Sequence, residues 1–326
     1  MTRPVILSDD DNNLARCARA ISNGQLVAFP TETVYGLGAD ATCDVAVSLI
    51  FETKQRPRFN PLIVHVADTA TAKKIVQFNS RAEALADAFW PGPLSLVLPR
   101  RRNCGLSLLV SAGLDSIAVR VPAHPLAQKF LTKVDRPIAA PSANPSEEIS
   151  PTTALHVFYS FLADSSSDNL LVLDGGACEV GLESSVIDIS GEQTVLLRPG
   201  GITDKAIETV TGKLTVAKND NRIPSSPGML RRHYAPSTPL RLNALSLKEG
   251  EILLGFGPTP VNTQFNLSPS GNLVEAAANL FAMLRALDTA APKCIAVMPI
   301  PLEGLGLAIN DRLRRAAAPQ FELTDT

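Results

Sequence analysis

The sequence predicts an α/β protein of two domains, a large one around a mixed sheet and a smaller one around a parallel sheet. The length of 326 residues suits about two domains. Short apolar runs typical of buried strands alternate with segments whose apolar residues recur at helical spacing. After Gly200-Gly201 the composition changes. A polar, proline-bearing stretch is followed by predicted elements in the order strand, helix, strand, helix. We place the large domain at residues 1–205, a connector at 206–238 and the small domain at 239–326.

The elements of the large domain follow from periodicity and from end signals. A first helix begins after Asp and Asn residues that can cap it and ends at Asn23-Gly24. Ser150-Pro151 is the predicted cap and first-turn proline of a later helix. The predicted helices are Leu14–Ser22, Asp44 through Phe51, Ala82–Trp90, Pro125–Val134, Thr152–Phe161 and Thr203–Val210. The predicted strands are Leu26–Phe29, Leu62–Val66, Leu94–Leu98, Ile117–Val121, Pro137–Ala140, Leu170–Leu173, Val186–Ile189 and Val195–Leu197.

The small domain is predicted from two strands that each precede a helix. The strands are Ile252–Gly255 and Cys294–Met298, and the second helix is Leu305–Ala317. One apolar stripe at helical spacing predicts the first helix, formed by Leu273, Ala277, Leu280, Leu284 and Leu287. This alternation favours a parallel sheet.

Composition excludes several classes of protein. The net charge of −2 argues against a dedicated nucleic-acid coat. The five cysteines are scattered without a CxxC motif, which argues against a zinc ribbon and a disulfide framework. No apolar run is long enough for a signal peptide or a membrane span, so we expect a soluble, cytoplasmic protein. The sequence has no GxxxxGK[ST], GxGxxG after a strand, HExxH or GxSxG motif, so a phosphate site must be built differently.

Two segments place chemically active side chains beside predicted strands. Pro30–Gly38 brings hydroxyls, a carboxylate and two glycines, and it suits a ligand-binding loop and a tight turn equally well. Lys54–Leu62 holds three cations within five residues. Those cations either cap a helix and face solvent or bind a triphosphate. The two prolines stiffen the segment and favour the triphosphate.

His65 and Arg120 lie inside predicted apolar strands. His65 is either a core histidine or, because it is near the cation segment, a ligand-binding one. Arg120 shares a strand face with Ala118 and Pro122. A partly buried arginine needs an anionic partner, either a protein carboxylate or a ligand.

Further polar segments follow the later strands. The amides of Ala140–Ser146 suit a phosphate or a base edge, although by itself this segment fits an ordinary Ser/Asn/Pro turn. Gly181–Asp188 and Leu197–Gly201 supply more hydroxyls, a carboxylate and an arginine. Ser226–Pro236 in the connector places His-Tyr beside two arginines, which favours a lid over a site.

These segments together resemble the L-threonylcarbamoyladenylate synthases in their longer, two-domain form. The ordered set is specific and covers nearly the whole chain. Its members are Pro30–Gly38, Lys54–Leu62, Phe89–Leu94, Val119–Pro122, Pro141–Asn144, Glu183–Asp188, Leu197–Gly201, Pro227–Pro236 and Gly304–Leu313. The chain departs from the family at Glu147, where a glycine is usual, and at Leu230-Arg231, where Lys-Tyr is frequent.

The resemblance implies a YrdC-like large domain, with a mixed twisted sheet around an open cavity, and a Rossmann-like small domain. It implies that L-threonine, bicarbonate or carbon dioxide, and ATP form threonylcarbamoyl-AMP and pyrophosphate, with Mg²⁺. The product feeds the threonylcarbamoyladenosine modification of tRNA. The implied partners are therefore a downstream tRNA threonylcarbamoyl transferase complex and, weakly, tRNA.

The resemblance also assigns residues to the two substrates. Threonine is assigned to Thr31, His65, Arg120 and Ser184. ATP or the adenylate is assigned to Lys54, Arg58, Ser116, Ala140, Ser142, Asn144, Ser150, Arg198 and Tyr234. Two anionic reactants must meet, so Lys54 and Arg58 are expected to matter most, and alanine at either to abolish pyrophosphate release. We expect no covalent nucleophile, because positioning and charge stabilisation can carry this reaction, and no metal ligand is assigned.

Three other functions compete with this one. An RNA-binding module would bind with steep salt dependence and without ATP turnover. A carbamoyl-transfer enzyme of hydrogenase maturation uses a similar domain but adds an acylphosphatase-like module and paired-cysteine zinc motifs, which this sequence lacks. A generic phosphate-binding hydrolase would act independently of threonine.

Overall fold

The computed structural model describes residues 3–162, 169–217 and 232–319. The chain divides into two compact units. The first comprises Met1–Ser146 and Ser150–Met229, and the second comprises Glu147–Ile149 and Leu230–Thr326. Among the helices that the structure describes, none combines the length and the apolar character that a bilayer crossing requires.

The large unit is built on a mixed sheet of eleven strands, which confirms the predicted fold class. In chain order the strands are β1 (Val5–Leu7), β2 (Val27–Phe29), β3 (Gly36–Asp40), β4 (Ile63–His65), β5 (Leu94–Pro99), β6 (Ser116–Arg120), β7 (Ile138–Ala139), β8 (Leu171–Leu173), β9 (Ser185–Asp188), β10 (Val195–Arg198) and β11 (Thr215–Val216). Their order across the sheet is β1-β8-β2-β3-β7-β4-β6-β5-β9-β10-β11.

Helices cover one face of this sheet and part of the other. They are α1 (Asp11–Ser22), α2 (Asp44–Thr53), α3 (Thr69–Ile75), α4 (Ser80–Phe89), α5 (Pro125–Val134), α6 (Ala154–Phe161) and α7 (Asp204–Thr211). At the β1 end, α1 and α5 pack on one face and α6 packs on the other. Toward β10, α2, α4 and α7 pack on the face that α6 shares. The opposite face at that end carries a small apolar cluster formed by strand residues alone, namely Ile63, Val97, Ala118 and Val186 with Leu197 against them.

Two local features differ from the sequence prediction. Pro30–Gly38 does not remain a loop throughout, because Gly36–Asp40 forms β3 between β2 and β7. Ser150-Pro151 does not open α6. The cap is Thr153, whose hydroxyl accepts a hydrogen bond from the His156 amide, so the helix begins at Ala154.

The large unit also extends beyond the boundary predicted at residue 205. Helix α7 buries Ile207 in the core, and β11 pairs in parallel with β10. Residues 206–217, placed in the connector by sequence, therefore belong to the large unit. Residues 218–231 of the predicted connector, including Leu230-Arg231, lie outside the described residues.

The second unit holds a parallel three-stranded sheet. Its strands are β12 (Leu240–Arg241), β13 (Glu251–Leu254) and β14 (Cys294–Val297), in the order β12-β14-β13. Helices α8 (Leu273–Thr289) and α9 (Leu305–Ala316) complete it, and the predicted apolar stripe of α8 is buried apart from its first residue, Leu273, which is half-buried. Glu147 has a φ of 71°, in the left-handed region that glycine favours. The chain therefore holds this backbone conformation without the glycine that the resembled family usually has.

Candidate functional site

A row of mainly polar residues crosses five neighbouring strands of the large sheet. The register pairs His65 on β4 with Arg120 on β6, and its continuation places Ser95 on β5 opposite Arg120. Ser95 pairs with Val186 on β9, and Val186 pairs with Arg198 on β10. Neighbouring strands lie about 4.8 Å apart, so the row extends over about 19 Å. It brings together three residues that the sequence assigned to two different substrates.

Arg198 joins this row because β10 contains a bulge. Leu196 pairs with Ile187 while Arg198 pairs with Val186, so Leu197 is the extra residue. In a regular strand Leu197 would lie opposite Val186 and Arg198 would point to the other face. The bulge therefore turns the guanidinium toward the face that carries Arg120.

Arg198 is tied to Ser184, which the sequence assigned to threonine. Its Nη2 donates to the Ser184 carbonyl over 2.9 Å and to the Ser184 hydroxyl over 3.2 Å. The Ser184 hydroxyl lies 2.8 Å from that of Ser95. One residue earlier, Glu183 accepts a 2.5 Å hydrogen bond from Ser150, a residue assigned to ATP. The Glu183–Ser184 pair thus connects residues assigned to both substrates.

A second polar cluster joins the segment after β2 to Arg120. The Thr31 and Thr33 hydroxyls lie 2.7 Å apart, and Arg120 Nη1 donates to the Thr33 hydroxyl over 2.9 Å. Arg120 Nε donates to the Gly92 carbonyl over 3.2 Å. Arg120 Nη2 lies 2.7 Å from Glu32 Oε1. The carboxylate partner that a buried strand arginine requires is therefore Glu32.

His65 lies in this cluster as a buried, neutral imidazole. Its ring meets the edge of Phe29 with centroids 5.9 Å apart. Within the described part of the chain, Nδ1 has no hydrogen-bond partner. Burial, together with the positive charge of Arg120, lowers the pKa of His65 to about 3. His65 can therefore accept or donate a hydrogen bond at neutral pH, but it does not add a cation to the site.

This low pKa makes stability depend on pH in a predictable direction. Between pH 6.5 and pH 3 the unfolded chain takes up a proton at His65 that the folded chain does not. Stability is therefore lost as the pH falls through that window. Between pH 7 and pH 5 the free energy of unfolding should fall by about 2 kcal/mol more in the wild type than in His65→Gln. Urea unfolding at both pH values measures this, and equal losses would contradict it.

Lys54 is buried and holds the segment that follows β7. Its side chain is 1% exposed, and Nζ donates to the main-chain carbonyls of Ser142, over 2.6 Å, and of Asn144. The Lys54 carbonyl in turn accepts a 2.8 Å hydrogen bond from the Ser146 amide. Lys54, Ser142 and Asn144, all assigned to ATP, are thus brought together, with the ammonium bound to the backbone of the other two.

The two arginines that follow Lys54 differ in their surroundings. Arg56 is buried, and it donates to the carbonyls of Asn60 over 3.2 Å and Pro61 over 3.0 Å, which fixes the shape of the segment. Arg58 is exposed and makes no hydrogen bond or ion pair with any residue in the ranges 3–162, 169–217 and 232–319. The sequence singled out Arg58 and passed over Arg56.

The remaining predicted residues occupy different places. Ser116 begins β6, four residues before Arg120 and on the same face. Ala140 is buried, and its amide donates to the Ile63 carbonyl over 2.9 Å. Tyr234 belongs to the second unit, where it stacks on Phe281 and lies under the guanidinium of Arg312, 5.2 Å from the ring centroid. Its assignment to ATP stays a prediction.

The described residues bring together no group of three or more His, Cys, Asp or Glu side chains that could hold a metal ion. Two carboxylates lie among the predicted substrate residues: Glu32 balances the charge of Arg120, and Glu183 accepts a hydrogen bond from Ser150. In this part of the chain a divalent cation would therefore depend on phosphate oxygens for most of its ligands.

Comparison with known protein families shows which family the chain belongs to. A model of the Sua5, YciO and YrdC proteins, described as "Telomere recombination", matches residues 19–200. The chain belongs to the Sua5–YciO–YrdC family. A second model, described as "Threonylcarbamoyl-AMP synthase, C-terminal domain", matches residues 202–318 of this family member. The resemblance drawn from the ordered motifs is thereby confirmed.

Individual relatives of this Sua5-family chain support the same grouping. It is 40% identical to the threonylcarbamoyl-AMP synthase of Pyrococcus abyssi, over 91% of this chain and 92% of the relative. It is 39% identical to that of Bacillus subtilis, over 95% and 94%. Among solved structures, P. abyssi Sua5 complexed with L-threonine matches with a TM-score of 0.87 and 37% identity, over 97% of this chain and 98% of that one.

The sequence assigned no substrate to three residues that contact the candidate site of this family member, namely Glu32, Ser95 and Arg56. Glu32 stood in the Pro30–Gly38 segment, where a carboxylate also suits a turn. Ser95 alternates with apolar residues in a predicted strand. This pattern indicates which face of the sheet Ser95 lies on, but not which residues it contacts. Arg56 looked like one of several loop cations. Glu32 and Ser95 are identified by contacts with residues distant in sequence, Arg120 and Ser184 respectively. Arg56 is identified by its burial and its hydrogen bonds within its own segment.

Proposed function

We propose that this chain is a threonylcarbamoyl-AMP synthase. The observation that carries the proposal is the likeness to Sua5 complexed with L-threonine over 97% of the chain. The polar row on the large sheet supports it from the chain's own geometry. Fold alone would leave the chemistry open.

The reaction joins reactants that repel one another. L-threonine and bicarbonate condense to a carbamate, and the carbamate oxygen attacks the α-phosphorus of ATP as the bond to pyrophosphate breaks. The products are threonylcarbamoyl-AMP, pyrophosphate and water, and the reaction balances with pyrophosphate as the singly protonated trianion, so no free proton is left over. Both the carbamate and ATP are anionic, so cations that lower their repulsion in a sheltered site stabilise the encounter and the transition state. Lys54, Arg58, Arg120 and Arg198 are the candidates.

Threonine is proposed to bind at the cluster around Arg120. Thr31, His65, Arg120 and Ser184 supply hydroxyls, a neutral imidazole and a guanidinium. ATP or the adenylate is proposed to bind Lys54, Arg58, Ser116, Ala140, Ser142, Asn144, Ser150, Arg198 and Tyr234. The hydrogen bonds that join Ser184 to Arg198 and Glu183 to Ser150 support a single site in which the two substrates meet.

No covalent nucleophile is required, since the substrate amine and carbamate do the attacking. The residues act by binding and orienting the substrates and by stabilising charge. Mg²⁺, bound to the phosphate oxygens of ATP, would neutralise charge on the leaving pyrophosphate. The product would pass in the cytoplasm to a downstream tRNA threonylcarbamoyl transferase complex, with at most weak contact to tRNA.

Pyrophosphate release tests this function directly. The purified chain should release pyrophosphate from ATP only when L-threonine and bicarbonate are both present, and threonylcarbamoyl-AMP should appear in equal amount by mass spectrometry. Release that is independent of threonine would favour a phosphate-binding hydrolase. RNA binding without turnover would favour an RNA-binding module.

The exposure of Arg58 makes its expected effect smaller than a complete loss of activity. Its side chain supports no neighbour in the described residues, so Arg58→Ala should leave the unfolding midpoint unchanged. An exposed cation bound to a phosphate contributes about 1 kcal/mol, so KM for ATP should rise about fivefold to tenfold. Steady-state pyrophosphate release at varied ATP measures this. Arg16→Ala, an exposed arginine on α1, is the matched control. An unchanged KM in Arg58→Ala would remove Arg58 from the site.

A further inference from the structure

The ion pair between Glu32 and Arg120 is buried but incompletely bonded. Glu32 is 7% exposed and Arg120 is 3% exposed. Nη2 lies 2.7 Å from Oε1, so the two charges are in contact. However, Arg120 Nη2 and both carboxylate oxygens of Glu32 are buried atoms without a hydrogen bond to any part of the chain that the structure describes. The geometry brings the charges together and leaves their hydrogen-bonding capacity unused.

This arrangement is unusual for a purely structural pair. Structural arginine–carboxylate pairs gain most when two parallel hydrogen bonds form between the groups. A buried ionised group that lacks such bonds destabilises the fold, and the cost is largest where water is excluded. The other two nitrogens of Arg120 are satisfied by Thr33 and the Gly92 carbonyl. The atoms that lack a hydrogen bond are therefore those on the side where the two charges meet, Arg120 Nη2 and the carboxylate oxygens of Glu32.

We propose that Glu32 and Arg120 together recognise the zwitterionic head group of the amino-acid substrate. Arg120 Nη2 donates to the α-carboxylate, and Glu32 accepts from the α-ammonium. This inference rests on the proposed function, because it takes threonine as the substrate. Glu32 is thereby added to the residues that bind substrate. Its position beside Arg120 is explained by the need to bind an ammonium next to a carboxylate.

Charge balance supports this pairing. Glu32 and Arg120 together carry no net charge, and the substrate zwitterion carries none either, so binding brings no uncompensated charge into the buried site. The Thr31 hydroxyl belongs to the same hydrogen-bonded cluster through Thr33. An anion and a cation are therefore adjacent, matching the ammonium and the carboxylate of threonine.

Recognition of the ammonium group should make the site specific for amino acids. A site built to bind an ammonium group rejects an analogue that lacks it, because the buried carboxylate then remains unpaired. The probe is (R)-3-hydroxybutyrate, which keeps the carboxylate and hydroxyl of threonine but has no amine. By calorimetry, the wild-type chain should bind L-threonine about 100-fold more tightly than this analogue.

Glu32→Gln separates ammonium recognition from support of Arg120. This variant should bind threonine about 30-fold more weakly and bind (R)-3-hydroxybutyrate within about threefold of the wild-type affinity. The preference for threonine should largely disappear. Equal losses for both ligands would overturn the inference, because they would mean that Glu32 only holds Arg120 in place. An unchanged preference in a folded Glu32→Gln would overturn it as well.

Two further measurements keep the outcome decisive. Glu32→Asp keeps the charge, so it should retain most of the preference for threonine even if Glu32→Gln fails to fold. A wild-type chain that binds threonine but does not discriminate against (R)-3-hydroxybutyrate would overturn the inference and leave the proposed function standing. A wild-type chain that binds neither ligand would overturn the proposed function itself.

Discussion

Lys54→Ala is expected to lower threonine- and bicarbonate-dependent pyrophosphate release by about 100-fold or more at saturating substrates. Losing one preorganised donor from a charge-stabilising site costs about 100- to 1000-fold in kcat. Here the loss is compounded, because Nζ holds the carbonyls of Ser142 and Asn144 from 88 and 90 residues away in sequence. Its removal takes the ammonium donor from one buried and one half-buried carbonyl and releases the segment assigned to ATP.

Two controls accompany Lys54→Ala. One is a lysine-to-alanine change elsewhere on the chain, and the other is the affinity of Lys54→Ala for threonine. Lys133→Ala, an exposed lysine in the last turn of α5, makes the same change at a side chain outside the polar row and should keep full activity. Threonine affinity in the absence of ATP should change less than threefold in Lys54→Ala, because the threonine residues lie in the other cluster. A folded Lys54→Ala that kept more than one-tenth of the wild-type rate would contradict the role given to Lys54.

Elements with a strong pattern were predictable from sequence. The amphipathic helices α1, α5 and α8 begin and end within three residues of their predicted limits, because polar caps and apolar periodicity specify them locally. The apolar strands β5 and β6 were located equally well. In these segments, local preference and tertiary packing favour the same structure.

Strand β3 was not predictable, because its stability comes from its neighbours. Its sequence, Gly-Leu-Gly-Ala-Asp, has low strand preference and reads as a turn. In the sheet, a Cβ at Gly38 would lie 2.9 Å from both Phe29 and Ile138 side-chain atoms. Only glycine allows β3 to fit between β2 and β7 there, and neither neighbour is evident from the local sequence.

The site was predictable in its residue types but not in its connections. Arg120 was expected to need an anion, yet the sequence left open whether a carboxylate or a ligand supplies it. Glu32 is 88 residues away, and only the fold brings it to Arg120. Arg198 faces the site because of the β10 bulge, which depends on its register with β9. The resemblance to a family named most of these residues without giving their contacts.

Arg120→Met should destabilise the chain by about 3–5 kcal/mol and remove detectable threonine binding. Methionine fills much of the same volume but leaves Glu32 as a buried carboxylate without its counter-charge, which is the costly way to break a buried pair. Urea unfolding at pH 7 measures the stability, and calorimetry measures threonine binding. Arg136→Met removes a half-exposed arginine from its pair with the buried Asp40, whose carboxylate keeps its hydrogen bonds from Thr42. It should therefore cost about 1 kcal/mol or less, with threonine binding unchanged.

The double variant Glu32→Gln with Arg120→Met separates the two contributions of the pair. Removing both charges eliminates the unpaired carboxylate, so the double variant should be more stable than Arg120→Met alone, by about 1–3 kcal/mol. Threonine binding should stay absent, because the groups proposed to meet the carboxylate and the ammonium are both gone. Stability that recovers without binding would assign the pair to the substrate rather than to the fold. If the two losses simply added, Glu32 and Arg120 would be acting independently, and the coupling argued from their 2.7 Å contact would be wrong.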